Sequence, residues 1–182
     1  MASALIVVDM LNTYQHEHAE PLMHSVGEIL PALRELLVRT REEGMLTVYV
    51  NDNHGDWAAG PRELAQRALA GAGPELVEPV LPPPDTPFVM KARHSIFYET
   101  LVEYLLRRHE VNRLILAGQV TEQCILYSAL DGYVRHFEVV VPGNCVAHID
   151  PDLARAALQM MKANMHAAIA ESVAEAVEAA QG

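Results

Sequence analysis

The feature that most restricts this chain is a series of short, unbroken apolar runs, most of them closed by a polar residue. Residues 4–8 (Ala-Leu-Ile-Val-Val) stop at Asp9, and residues 45–50 (Met-Leu-Thr-Val-Tyr-Val) stop at the cluster that begins Asn51-Asp52. Residues 88–90 stop at Lys91, and 113–117, 138–141 and 166–170 complete the set. None alternates apolar with polar, so none has the pattern of a strand with one wet face. Runs of this length, rich in β-branched residues, are strands buried on both sides, as in a parallel sheet.

Segments of helical period separate the runs. Val26, Ile29, Leu30, Leu33, Leu36 and Leu37 recur at helix spacing with charges between them, and Gly44 is placed as the stop. Two starts stay open for this helix. Ser25 with Glu28 forms a capping box, or the helix begins at Pro31, since proline is awkward in a helix interior. Residues 10–23 then read as a loop, and Pro61–Ala70 as a short helix. The glycine- and proline-rich stretch 71–87 is a long irregular connection of the kind that forms a rim or lid. Ser95 or Thr100 caps a helix through Arg107, a further helix runs from Thr121 to about Arg135, and Asp150-Pro151 opens one to about Asn164. An Ala/Glu helix ends the chain. This alternation specifies an α/β fold, a three-layer αβα arrangement with a largely parallel, six-stranded, Rossmann-like sheet and helices on both faces. It reads as one domain over residues 1–182.

The bulk numbers narrow the function. A chain of 182 residues buries a sizeable core without disulfide or metal support. Its formal net charge of -11 excludes nucleic acid and anionic membrane as partners, because no basic patch meets phosphates. Two cysteines are too few for a secreted disulfide framework. The first apolar run has no basic residues before it and ends at Asp9, too short for a signal or membrane-spanning segment. A cytoplasmic protein with a small-molecule substrate is expected. A nucleotide-binding domain is not, since Met-Leu-Asn-Thr-Tyr-Gln after the first strand lacks the glycines of a phosphate loop.

In such sheets ligands bind beyond the carboxyl ends of the strands. Asp9, Asp52 and Lys91 end strands one to three, and Cys124 lies just past strand four, so all four belong on one edge. Taken alone, Cys124 is a buried structural cysteine. In this company it gains chemistry. A helix N-terminus and an ammonium both favour thiolate over thiol, and a carboxylate can accept the proton. Tyr14, Trp57, Phe97 and Tyr98 are the candidate apolar walls of the substrate pocket, and Arg93 or His94 is placed to meet an anionic substrate. Cys145 has no partner motif and reads as structural.

Four segments, in order, carry a family resemblance: ALIVVDMLNTY around Asp9, VYVNDNHGDW after strand two, FVMKARHSIFYETLVEYL around Lys91, and LILAGQVTEQCILYSALDG around Cys124. Over essentially its whole length the chain resembles the isochorismatase-like cysteine hydrolases, which include nicotinamidases, N-carbamoylsarcosine amidases and isochorismatases. The resemblance implies Cys124 as nucleophile, Asp9 as general base and Lys91 as the cation holding both. It implies a cis peptide bond between Gln119 and Val120, with the N–H groups of Val120 and Cys124 as an oxyanion hole. The implied activity is hydrolysis of a small amide, carbamoyl or related acyl compound through a Cys124 thioester, with Asp9 as acid/base and as activator of the hydrolytic water. The alternatives are vinyl-ether hydrolysis with Asp9 as acid, or a non-catalytic binding or assembly role. Asp52 and His54 match the start of the metal site used by the nicotinamidase branch, but the same loop supplies no further histidine. Two ligands fall short of the three that catalytic zinc needs, so no cofactor is expected. Relatives assemble as dimers or tetramers, which implies a homo-oligomer here.

Overall fold

Each apolar run becomes a strand, and every pairing between strands is parallel. The computed structural model describes residues 2–182. The strands are β1 (Ala2–Val8), β2 (Leu46–Asp52), β3 (Phe88–Lys91), β4 (Val111–Gln119), β5 (Glu138–Pro142), β6 (Val146–Ala147) and β7 (Ala168–Ala170). The helices are α1 (Ala19–Glu42), α2 (Pro61–Leu69), α3 (Pro74–Val77), α4 (Val102–Arg108), α5 (Leu126–Val134), α6 (Pro151–Met165) and α7 (Val173–Gln181). The sheet order is β3-β2-β1-β4-β5-β7, with β6 paired to the end of β4. It therefore has seven strands where six are expected. The additional strand, Val146–Ala147, is two residues long and carries no periodicity of its own.

Residues 4–8 show why the runs are continuous. Leu5 and Val7 face a core shared with Leu33 and Leu36 of α1 and Val177 of α7. Ala4, Ile6 and Val8 face the opposite core, with Leu106 of α4, Ala129 of α5 and Met161 of α6. Both faces are dry, and each fully buried Val, Leu or Ile contributes roughly 1.5–3 kcal/mol.

Helix α1 departs from both expected starts. It begins at Ala19 and runs through Pro31. Pro31 and Gly27, the residue whose carbonyl loses its partner, both lie on the solvent face, so that oxygen is not stranded in the core. The buried stripe Leu22, Val26, Ile29, Leu33 and Leu36 outweighs the roughly 3 kcal/mol that an interior proline costs. Ser25 caps nothing; it is buried and its hydroxyl accepts from the His148 N–H at 3.0 Å. Residues 71–87 are packed down on α1 through Leu76, Val77 and Val80. Thr100, not Ser95, meets the start of α4, its Oγ1 accepting from the Val102 N–H at 3.3 Å. Asp150 caps α6 as expected, accepting from the N–H groups of Asp152 and Leu153. No helix among the described residues is long and apolar enough to cross a membrane.

The order of the strands fixes where a ligand belongs. From β1 the chain builds outward to β2 and β3, then returns to the other side of β1 and builds outward again through β4 and β5. The carboxyl ends of β1 and β4 flank that reversal, the crevice where open α/β sheets bind ligands.

Candidate active site

Asp9 stands at the end of β1 in the left-handed region, with φ 55. Aspartate tolerates that conformation better than most residues, yet it still needs to be held. The Asp9 N–H donates to the Val50 carbonyl at 2.9 Å, and its own carbonyl accepts from Gln119 Nε2 at 2.6 Å. The carboxylate is engaged at both oxygens: Oδ1 accepts from the Asp52 N–H at 2.7 Å and Oδ2 lies 2.8 Å from Lys91 Nζ. The neighbouring strand β4 comes this close because Gly118, at φ 115, has no Cβ; one built there would sit 2.2 Å from the Val8 carbonyl oxygen.

Lys91 ends β3 with its side chain wholly buried. Its ammonium reaches Asp9 at 2.8 Å, Asp52 at 3.6 Å and Cys124 Sγ at 3.5 Å. Burial by itself pulls the lysine pKa down, but the Asp9 carboxylate and Cys124, with a smaller push from Asp52, more than offset this and leave it above the usual value. Asp9, Asp52, Lys91 and Cys124 thus do meet at one edge of the sheet.

Cys124 is reached by a turn that is not α-helical. Residues Thr121–Ile125 form a π turn ahead of α5, following a cis Gln119–Val120 peptide bond. The Val120 carbonyl accepts from the N–H groups of Gln123 and Ile125 and passes over that of Cys124 between them. Three contacts anchor the turn. Thr121 Oγ1 donates to the Ala147 carbonyl at 2.9 Å, and Glu122 Oε1 accepts from the N–H groups of Ile149 and Asp150. Strand β6 is therefore what the turn is tied to. Burial, and next the Asp9 carboxylate, push the Cys124 thiol far above the ordinary range, and the Lys91 ammonium only partly opposes them. These effects favour the thiol, against the pull toward thiolate expected from a helix N-terminus and an ammonium.

The expected pocket residues separate. Trp57 and Tyr98 line an open cavity of about 650 Å³ together with Asp52, Met90, Lys91 and Arg93. Lys91 joins that cavity to the sulfur. Phe97 is not there: it is buried, stacked on Phe137 with centroids 5.7 Å apart, because it lies on the inner side of the irregular segment 92–101. Tyr14 is also buried, and donates its hydroxyl to Gln119 Oε1 at 3.4 Å. Burial, opposed by that contact, raises its pKa to about 12. A larger cleft of about 880 Å³ opens near the start of β2, at the other end of the sheet, and no cysteine, serine or histidine lines it.

Three residues take roles that the sequence did not assign them. Gln119 links Tyr14 to Asp9 through its side-chain amide. Asn51 clamps the loop after Asp9, accepting from the Leu11 N–H at 2.8 Å and donating to the Leu11 carbonyl at 3.1 Å. His94 places Nδ1 3.6 Å from Cys124 Sγ, closer to the chemistry than a contact for a distant anionic group. Cys145 is buried and unpaired, its thiol raised to about 12 by burial and Glu35.

Asp52 and His54 do not fit a metal ion. Asp52 Oδ1 accepts from the His54 N–H at 2.7 Å, and Oδ2 faces the Lys91 ammonium. His54 turns Nε2 to the Leu11 carbonyl oxygen at 3.1 Å, so that nitrogen carries a proton and offers no lone pair. Among the described residues no group of three His, Cys, Asp or Glu side chains is placed to hold a cation.

The chain is 29% identical over 159 residues to the uncharacterized isochorismatase family protein YaaI of Bacillus subtilis, covering 87% of this chain and 88% of that one. It is 27% identical over 182 residues to the ureidoacrylate amidohydrolase RutB of Enterobacter sp. (strain 638), covering 85% and 79%. The crystal structure of the nicotinamidase PncA from Bacillus subtilis superposes with a TM-score of 0.75 at 28% identity, over 94% of this chain and 100% of that one. The isochorismatase domain model matches residues 3–174, and the chain belongs to the isochorismatase family.

Proposed function

We propose that this protein is a cysteine-dependent hydrolase of a small amide, carbamoyl or related acyl compound. The observation that carries the reading is the convergence at Lys91 Nζ, 2.8 Å from Asp9 and 3.5 Å from Cys124 Sγ, at the reversal point of the sheet. Two of the relatives above, a ureidoacrylate amidohydrolase and a nicotinamidase, support the class of bond.

The resting thiol gives its proton to Asp9 as Sγ bonds to the substrate carbonyl carbon. Lys91 holds the carboxylate and balances charge on the sulfur while this happens. The carbonyl oxygen becomes an oxyanion, which the N–H groups of Val120 and Cys124 receive. The Val120 carbonyl takes the N–H groups of Gln123 and Ile125 and not that of Cys124 between them. Donors of this kind are typically worth ~3–4 kcal/mol each in the transition state. As the carbonyl re-forms, the C–N bond breaks and Asp9 returns the proton to the leaving nitrogen. A Cys124 thioester remains, and water hydrolyses it.

The test is a screen for ammonia release over small amides and carbamoyl compounds, with Cys124→Ala as control. At least one compound is turned over, and Cys124→Ala lowers that rate by roughly 10³-fold or more. Activity retained in Cys124→Ala would sink the thioester mechanism and favour vinyl-ether hydrolysis with Asp9 as acid.

A further inference from the structure

Cys124 Sγ has a different group on each side. Lys91, wholly buried and bound to Asp9, approaches at 3.5 Å. His94, exposed at the surface, approaches through Nδ1 at 3.6 Å. The imidazole is not on a free loop. It stacks on Tyr127, with centroids 5.4 Å apart and ring planes at 26°, and Tyr127 stands three residues beyond Cys124. Two residues after His94, the Ile96 N–H donates to Ser128 Oγ at 3.1 Å. The helix that presents the sulfur therefore also fixes the histidine above it.

We propose that His94 is the general base for hydrolysis of the thioester, a catalytic residue distinct from Asp9, which serves its formation. This rests on the Cys124 thioester of the preceding section. Asp9 lies on the buried side of the sulfur, held there by the Asp52 N–H and the Lys91 ammonium. Water reaches the acyl carbon from the open side, where His94 stands. With its proton on Nε2, the imidazole accepts at Nδ1. The water oxygen bonds to the acyl carbon and its proton passes to Nδ1. The carbonyl then re-forms, the C–S bond breaks, and its electron pair stays on Sγ beside the Lys91 ammonium. The proton crosses from Nδ1 to Sγ, which restores the thiol and the neutral imidazole. The strong preference of this sulfur for its proton, set by burial and Asp9, drives that last transfer.

The groups against the imidazole are Cys124 and Tyr127, and Lys91 with Asp9 and Asp52 stands beyond the sulfur. Arg93, Tyr98 and Glu99 share its own segment. The experiment uses p-nitrophenyl acetate, whose leaving group needs no proton, so the first turnover reports acylation and the steady state reports deacylation. In both His94→Asn and His94→Gln the steady-state rate falls roughly 10²-fold while the first turnover stays within about threefold of wild type. Mass spectrometry finds the acetyl group accumulated on Cys124. Added imidazole restores turnover. A first turnover slowed as much as the steady state, with no acetyl-enzyme accumulating, would overturn the assignment. Equal p-nitrophenolate release by wild type and Cys124→Ala, with no acetylation, would remove the thioester itself and with it the role of His94.

Discussion

Replacing Lys91 with methionine tests whether a buried cation organises the site. Methionine matches the length of the stem and removes only the charge. At an effective dielectric of 20, the ammonium attracts Asp9 at 2.8 Å by about 6 kcal/mol and Asp52 at 3.6 Å by about 4.6 kcal/mol, before desolvation is subtracted. Burying the ions offsets most of this, and breaking such a pair by removing one partner costs about 3–5 kcal/mol. Asp52 remains three-tenths exposed and keeps water, so the burden falls on Asp9, whose side chain is 10% exposed. For a domain of this size that loss lowers the melting temperature by about 6–20 °C. Urea unfolding followed by circular dichroism measures it directly. Combining Asp9→Asn with Lys91→Met removes the orphaned carboxylate too, so the double variant is more stable than Lys91→Met alone. Catalysis is lost in both, because no group then holds the proton acceptor beside the sulfur. A Lys91→Met protein within about 1 kcal/mol of wild type, or a double variant no more stable than the single one, refutes the account.

The two aromatic placements separate cleanly by assay. Trp57→Ala raises KM for whichever amide the screen identifies and leaves stability within about 0.5 kcal/mol, whereas Phe97→Ala costs about 3–5 kcal/mol with little change in KM. Tyr49 is raised to about 12 by burial, opposed by Arg41, so between pH 10 and 12 the folded chain holds a proton that the unfolded chain has lost. Stability therefore falls as pH rises through that window, by up to about 2.7 kcal/mol, and Tyr49→Phe removes this loss in urea unfolding at pH 11–12 while changing little at pH 7. Alkylation of Cys124 by iodoacetamide keeps accelerating as pH is raised past the ordinary thiol range; a plateau already reached near about pH 7 would mark a resting thiolate and contradict the thiol assignment.

The fold was legible where burial leaves its mark on every position. Residues 4–8 sit between two cores, so all five had to be apolar, and that continuity is visible without coordinates. What escaped detection had no such mark. Strand β6 is too short to have a period. Helix α1 starts after His18, which offers no side-chain cap, so nothing in the sequence announces Ala19. Pro31 misleads because proline is judged against an interior helix position, and only the tertiary packing shows that its lost hydrogen bond lies on the wet face.

The site divides along a similar line. Asp9, Lys91 and Cys124 are reactive types at strand ends, and a parallel sheet gathers strand ends at one edge, so their meeting follows from topology. Gln119 and Asn51 are amides with no reactivity to attract notice, and Phe97 lies in a segment without periodicity, so its direction was not legible. The protonation of the sulfur is the deepest omission. A helix start and a nearby lysine argue for thiolate, and both are visible in the sequence. The opposing effects are the depth of burial and the proximity of the Asp9 carboxylate, which exist only once the chain is folded, and they are the larger. A thiol held this firmly reacts slowly with passing electrophiles, so in the proposed mechanism reactivity depends on a carbonyl arriving where Asp9 can take the proton as the S–C bond forms. Asp9, which takes the proton in the proposed reaction, is thus also one of the groups that hold it on the sulfur beforehand, while Lys91 pulls the other way.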